Sequence, residues 1–372
     1  MIPYLEIGPL REREYTGLAQ VTAALAERLM GDSSVDGRFF FGRMLVPRDV
    51  VEILLKTRCG ELLEWHLGRI APEPAPGRAT EASVGIFPNR KTARRAFTKD
   101  CQIVHDLSTL LTPQFHDRDV VQYHATTLEG DILTNDMTFC VSEATRSDVL
   151  AYFPSVRAET VAALPLAASI TSMNEPAWEG REVEPYILVL GTIEPRKNVS
   201  QVLECIRTRP SLTRSHRVVF LGRFGWGTSI EQLIETYDLR EQYKKGQILF
   251  PGFVTEEAKN LLIRNARILI YPSLFEGFGL PVLEAMTLGV PCVTTRSSSL
   301  PEAAGPHAYY FDPFASGDLE KAVMKAIVDV DLNADLVRKR CIEWAQRFSW
   351  DTTYRTLKQR IAGLFAAPEG SH

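Results

Sequence analysis

Two glutamates, Glu276 and Glu284, are the residues best placed by type and spacing to do chemistry. They lie in YPSLFEGFGLPVLEAMTLGVPCVTT, Tyr271 to Thr295. An apolar run stops at Tyr271, the turn Glu276-Gly277-Phe278-Gly279 follows, and a helix is predicted from about Pro281. Proline suits the first helical turn, where its missing N–H loses no partner. Glycines leading into a helix N-terminus put N–H groups at the positive end of the dipole, where an anion can bind. Glu284 is the only charged residue from Gly277 to Thr295. A carboxylate on so apolar a helix needs hydrogen-bond donors, because burying it without them costs roughly several kcal/mol. Ribose hydroxyls would supply them. The same pattern also fits a buried strand–turn–helix whose glutamates reach solvent or a backbone cap.

Elements that could position these residues alternate along the chain as short apolar runs and helical patterns, which predicts an α/β fold with mainly parallel sheets. Before the middle, strands are expected at Ile2–Ile7, Ala82–Phe87, Cys101–Val104 and Phe139–Val141. Helical spacing covers Thr22–Met30 and Val50–Ile70, and Ser142-Glu143 reads as the cap of the helix holding Arg146, Val149 and Leu150. Ala167–Pro185 has no periodicity and two prolines, so it reads as a linker. Beyond it come strand Tyr186–Leu190, helix Ser200–Arg207, strand Arg217–Leu221, helix Ser229–Tyr237 and strand Ile248–Phe250. Helix Glu256–Asn265, strand Ile268–Tyr271, helix Pro281–Leu288, strand Pro291–Thr294 and a terminal helical region complete the second series. The expectation is two Rossmann-like domains, 1–166 and 186–349, joined by the linker 167–185. A final helix, 350–372, is expected to pack back toward the first domain. Ligands of such sheets bind beyond the carboxyl ends of the strands, and two facing sheets would put those ends on a shared cleft.

The whole chain narrows the function classes. With 372 residues, 42 Lys and Arg, and 46 Asp and Glu, it is large enough for two domains and too acidic overall to advertise nucleic-acid binding. Its six cysteines are scattered without metal-site spacing, which predicts free thiols in a reducing compartment. No apolar run approaches the ~20 residues that cross a bilayer, and the N-terminus lacks a signal-peptide pattern. A cytoplasmic protein is expected, with membrane contact from the surface only. The basic residues Arg90, Lys91, Arg94, Arg95 and Lys99 have two readings: a solvated face, or contact with an anionic membrane or lipid diphosphate.

EGFGLPVLE followed by AM-x-x-G-x-P resembles the signature of glycosyltransferase family four, the large retaining family of the GT-B fold. Further segments are similar in the same order. VHDLSTL (Val104–Leu110) and VSEATRSDV (Val141–Val149) stand in the first half. GTIEPRKN (Gly191–Asn198), PGFV (Pro251–Val254) and YYFDP (Tyr309–Pro313) stand in the second.

The resemblance implies roles. Arg196 and Lys197 would neutralise the donor diphosphate, whose charge grows as it leaves. The family commonly has arginine just after the glycine, where this chain has Thr192. Glu284 would accept from the nucleotide ribose. Glu276 would sit by the donor sugar, with Gly277 in its turn and the backbone N–H groups of Phe278, Gly279 and Leu280. Phe253 and Val254 would border the base. His105 would meet the sugar from the first domain, with Asp106 as a cap of its turn, and Gly17 would stand where the family has a glycine-rich loop near the phosphate. No metal or other cofactor is implied. GTIEPRKN is similar to segments of bacterial mannosyltransferases of surface-polysaccharide and lipopolysaccharide synthesis. GDP-mannose is therefore the first donor expected and a UDP-sugar the second, with a glycan or lipid-linked acceptor.

Other readings make distinct demands. A metal-dependent GT-A transferase needs Asp-x-Asp after a strand. Asp117-Arg118-Asp119 and Asp329-Val330-Asp331 have the spacing without the strand. A nicotinamide-binding motif needs a third glycine that Gly277 and Gly279 lack. A GT-B epimerase or phosphorylase, or a non-catalytic sugar-nucleotide-binding subunit, stays open.

Overall fold

Tyr186–Leu190 and Ile268–Tyr271 are apolar and buried at every position, the mark of parallel strands covered on both faces. A computed structural model describes residues 1–12, 16–67, 82–170, 186–225 and 229–366. Its contacts divide the chain into two units, Met1–Ala167 with Phe348–His372, and Ala168–Arg347. Most of the expected linker, 171–185, falls outside the described residues, as does the tail after 366.

In the first unit the strands are β1 (Ile2–Glu6), β2 (Arg38–Phe41), β3 (Met44–Val46), β4 (Ser83–Phe87), β5 (Lys99–Val104), β6 (Met137–Cys140) and β7 (Val161–Ala163). They form one sheet in the order β3-β2-β1-β4-β5-β6-β7. All pairs are parallel except the hairpin β2–β3, which turns at Gly42 and Arg43. The helices are α1 (Gly17–Gly31), α2 (Arg48–Thr57), α3 (Glu61–Leu67), α4 (Ser108–Leu111), α5 (Arg118–Leu133) and α6 (Glu143–Tyr152). The single helical stretch expected over Val50–Ile70, of which 68–70 lie outside the described residues, divides into α2 and α3, because Arg58 takes the left-handed conformation (φ 51°) and ends α2. Ser142 caps α6 by accepting from the Thr145 N–H. An aromatic core forms where Phe97 sits 5.1 Å from both Tyr4 and Phe40, centroid to centroid.

The basic cluster is divided: Arg90, Arg94 and Arg95 are exposed, Lys99 is half-buried and Lys91 is in the interior. Lys91 is buried and pairs with buried Asp100 at 3.0 Å. Arg94 pairs with Asp131 at 2.7 Å, Lys99 with Asp136 at 3.0 Å, and the Arg90 guanidinium lies 4.1 Å over the Tyr123 ring.

The second unit holds β8 (Tyr186–Leu190), β9 (Arg217–Leu221), β10 (Ile248–Gly252), β11 (Ile268–Tyr271), β12 (Cys292–Thr295) and β13 (Tyr309–Phe311). They form a parallel sheet in the order β10-β9-β8-β11-β12-β13. Its helices are α7 (Val199–Thr208), α8 (Pro210–Ser215), α9 (Ile230–Thr236), α10 (Arg240–Lys244), α11 (Glu256–Arg264), α12 (Leu280–Thr287), α13 (Leu300–Ala304) and α14 (Asp318–Ala345). The last helix, α15 (Trp350–Gly363), belongs to the first unit. It is tied to α1 and its flank by Arg28–Asp351 at 3.0 Å and by Tyr354 donating to Asp32 at 3.0 Å. The Thr353 hydroxyl also donates to the Pro165 carbonyl. All six cysteines are free. Among the described residues no helix is long and apolar enough to cross a membrane.

Candidate functional site

In the second unit the strand order reverses between β8 and β11, so their carboxyl ends border the crevice where open α/β sheets bind ligands. Gly191 follows β8 and Gly222 follows β9, and the two backbones nearly touch. A Cβ on Gly222 would stand 2.1 Å from the Gly191 carbonyl oxygen, so no other residue fits. After Gly191 the chain makes a short turn, Pro195–Lys197, and enters α7 through Asn198 in the left-handed conformation. The loop after β11 is tied to this turn, because the Leu274 N–H donates to the Arg196 carbonyl at 2.9 Å.

These two loops bring Arg196, Lys197 and Glu276 together. Glu276 is buried, at 8 % exposure. Its Oε1 accepts from Lys197 Nζ at 2.5 Å, Ser273 Oγ at 2.5 Å and Tyr271 Oη at 2.9 Å. Its Oε2 faces Arg196 at 3.3 Å. The Glu276 carbonyl accepts from the hydroxyls of Ser298 and Ser299. Burial alone would raise the Glu276 pKa, but Lys197 and then Arg196 outweigh it and hold the carboxyl at about 2. Burial pulls Lys197 below the usual lysine value despite Glu276, with Arg196 adding to the drop. Arg196 is further anchored by Glu194 at 2.9 Å and by donating to the Phe275 carbonyl at 2.7 Å. The cluster is thus two cations against two carboxylates. An incoming anion must compete with Glu276 for Lys197.

Gly279 caps the N-terminus of α12 at φ 97°, a conformation that an L side chain rarely adopts. Gly277, Phe278 and Gly279 are buried and Leu280 half-buried. On the same helix Glu284 is 3 % exposed and is met by Lys259 of α11 at 3.1 Å. Lys259 also pairs with Glu256 at 2.9 Å. Burial raises the Glu284 pKa, Lys259 opposes the rise and Glu256 adds to it.

Phe253 and Val254 follow β10. Phe253 is 53 % exposed, with the Arg223 guanidinium 4.7 Å from its ring. His105 and Gly17 belong to the first unit. The His105 Nε2 lies 2.7 Å from the Pro88 carbonyl, and burial lowers its pKa against the opposing pull of that bond and of Asp106. Asp106 holds the turn by accepting from the Ser108 N–H and hydroxyl. Gly17 is the exposed first residue of α1. The two Asp-x-Asp pairs stand in structural positions: Asp117 caps α5, and Asp329 and Asp331 lie within α14.

A family model described as "Glycosyl transferases group 1" matches residues 174–345. The chain is also 30 % identical over 262 residues to the O-antigen chain mannosyltransferase B of Escherichia coli, covering 66 % of this chain and 66 % of that one. This chain belongs to the group 1 glycosyl transferases. A second relative, the serotype-specific mannosyltransferase WbdA of Escherichia coli, is 27 % identical over 266 residues. The match takes in 68 % of this chain but only 32 % of WbdA. The chain thus spans about two thirds of the first relative and about a third of the second. In fold it is similar to Anabaena HepE, solved with UDP and glucose, with a TM-score of 0.68 at 14 % identity, covering 98 % of this chain and 100 % of that one. The expected α/β GT-B architecture is the fold of this family.

Sequence reasoning missed the residues that complete the Glu276 cluster: Tyr271, Ser273, Glu194, Ser298 and Ser299. Tyr271 and Ser273 lay inside the segment already singled out. The serine pair is more than twenty positions from Glu276, and nothing in its local pattern points to it.

Proposed function

We propose that this chain is a retaining hexosyltransferase that moves mannose from GDP-mannose to a glycan or lipid-linked acceptor. The observation that carries the reading is the meeting of Arg196, Lys197 and Glu276 beyond β8 and β11. The names of both mannosyltransferase relatives support mannose as the sugar.

On this reading the donor diphosphate enters at the turn Pro195–Lys197 and takes Lys197 from Glu276. Arg196 and Lys197 then stabilise the charge that builds on the leaving group. Glu276, freed on one side, faces the sugar with the N–H groups of Phe278, Gly279 and Leu280. Glu284 accepts from the ribose, and Phe253 with Val254 borders the base. The C1–O bond to the diphosphate breaks and its electron pair stays on the phosphate oxygen. The acceptor oxygen bonds C1 from the same face, and its proton passes to the departing phosphate. The reading calls on no metal or cofactor, because two side-chain cations carry the charge. The parts given to His105 and Gly17 rest on the family resemblance alone.

The test is a panel of GDP-mannose and UDP-sugars, with release of nucleoside diphosphate followed by mass spectrometry. GDP should appear from GDP-mannose and Glu276→Gln should abolish most of it. Near-wild-type turnover in Glu276→Gln removes the glutamate from the donor sugar, and turnover of a UDP-sugar alone replaces the donor.

A further inference from the structure

A cavity of about 740 Å³ lies in the second unit between the edge strand β13 and both halves of α14. Lys325, Asp329, Val337, Arg340 and Trp344 recur along α14 at helical spacing and so line it from one face of the helix, which breaks at Asn333 (φ −144°, ψ 40°). Lys325 and Asp329 come from the first half, Arg340 and Trp344 from the second, and Arg296 from the end of β12. Its size is that of a small-molecule site.

The walls are fixed and the charges are not. Tyr309 donates to Asp329 at 3.0 Å, Tyr310 to the Gly305 carbonyl at 2.5 Å, and the Trp344 indole N–H to the Ala303 carbonyl at 2.9 Å. With their polar ends held, these rings are rigid walls. Arg296, Lys325 and Arg340 are exposed, and none forms an ion pair among the described residues. The Arg296 guanidinium lies against a ring face, 4.1 Å over Tyr310. Three cations therefore stand against one carboxylate, Asp329, in a chain with 46 acidic and 42 basic residues. That local excess favours an anion, and guanidinium groups suit phosphate oxygens in particular.

We infer that this cavity binds a phosphate-bearing small molecule, with its phosphoryl oxygens against Arg296, Lys325 and Arg340 and a ring packed on the aromatic wall. None of the residues of the Glu276 cluster is among those that line it, although Arg296 and Pro301 flank Ser298 and Ser299 in sequence, and the inference does not depend on the transfer reaction proposed there. Sugar phosphates and nucleotides share this chemistry.

Titration with inorganic pyrophosphate, a hexose phosphate and a nucleoside diphosphate, read by tryptophan fluorescence and calorimetry, tests it. At least one probe should give a fluorescence change that Trp344→Phe abolishes. Lys325→Glu with Arg340→Glu should weaken that binding about tenfold or more, because each removes a charged hydrogen-bond donor. Both changes are on exposed side chains, so unaltered thermal melting is the control for folding. Lys197→Ala should leave this binding unchanged. Preference for the hexose phosphate or the nucleotide identifies the source, and binding of pyrophosphate as tight as either overturns the packing of a ring on the aromatic wall. Absence of any Trp344-dependent signal, or equal affinity in the charge-reversed protein, overturns the inference.

Discussion

The Lys197 Nζ stands 2.5 Å from the Glu276 Oε1, joining a turn after β8 to a turn after β11 across 79 residues of sequence. The pair places a cation where the sheet reverses its strand order, and holds that cation with a carboxylate that an anionic ligand could replace. Breaking such a buried pair from one side is more damaging than deleting both members, because the survivor is left unpaired.

Lys197→Met should therefore lower turnover of the donor by about a hundredfold or more, the scale of losing one donor that stabilises developing charge. Glu276 would still be met by Arg196, Ser273 and Tyr271, so the protein should fold. Initial rates together with a melting curve check this; full activity in Lys197→Met would detach the residue from the diphosphate.

Glu284→Gln keeps the shape but removes the charge that Lys259 faces. The donor KM should rise about tenfold through loss of a charged hydrogen bond to the ribose, with kcat changed less. Steady-state kinetics separates the two. A fall in kcat at constant KM would count against the ribose assignment.

Glu6 ends β1 at the strand-order reversal of the first unit, buried at 4 % exposure, and accepts from the Gly8 N–H at 2.9 Å. Burial raises its pKa to about 7, with Gly8 and Arg11 opposing the rise. A carboxyl whose folded pKa is raised binds more protons folded than unfolded, so stability falls as pH climbs from about 4.5 to 7. Glu6→Gln should match the wild type near pH 4.5 and exceed it at pH 8 by about 3 kcal/mol, at 1.36 kcal/mol per pKa unit. Urea unfolding of both proteins at the two pH values measures the difference. A gap independent of pH would rule out titration of Glu6 as the cause.

Lys91→Met leaves the Asp100 carboxylate without its cation inside the first unit. Asp100 would keep only the N–H groups of Ala96 and Phe97 on its side chain. Stability should drop by about 3–5 kcal/mol, the usual cost of orphaning a buried charge. Chemical denaturation reads the loss, and recovery in Lys91→Met combined with Asp100→Leu shows that it came from the stranded charge.

Most strands and helices were legible in the sequence because burial and periodicity are local properties. Tyr186–Leu190 and Ile268–Tyr271 announce themselves as strands, and Ser142 announces its helix. The hairpin Arg38–Val46 was not legible, since RFFFGRMLV shows neither alternation nor a strong turn pair. Glu276 and Glu284 stood out because a charge in an apolar segment is conspicuous wherever the chain goes. The sequence by itself determined the α/β class, the family and which charged residues are unusual. Only the tertiary structure decided what those charges meet. Lys197 finds Glu276 because parallel strands in this order bring loops far apart in sequence to one end of the sheet. Within the basic run from Arg90 to Lys99, Lys91, Arg94 and Lys99 find Asp100 on β5, Asp131 on α5 and Asp136 just before β6. Pairing energies depend on distance and burial, and neither is written in the order of residues.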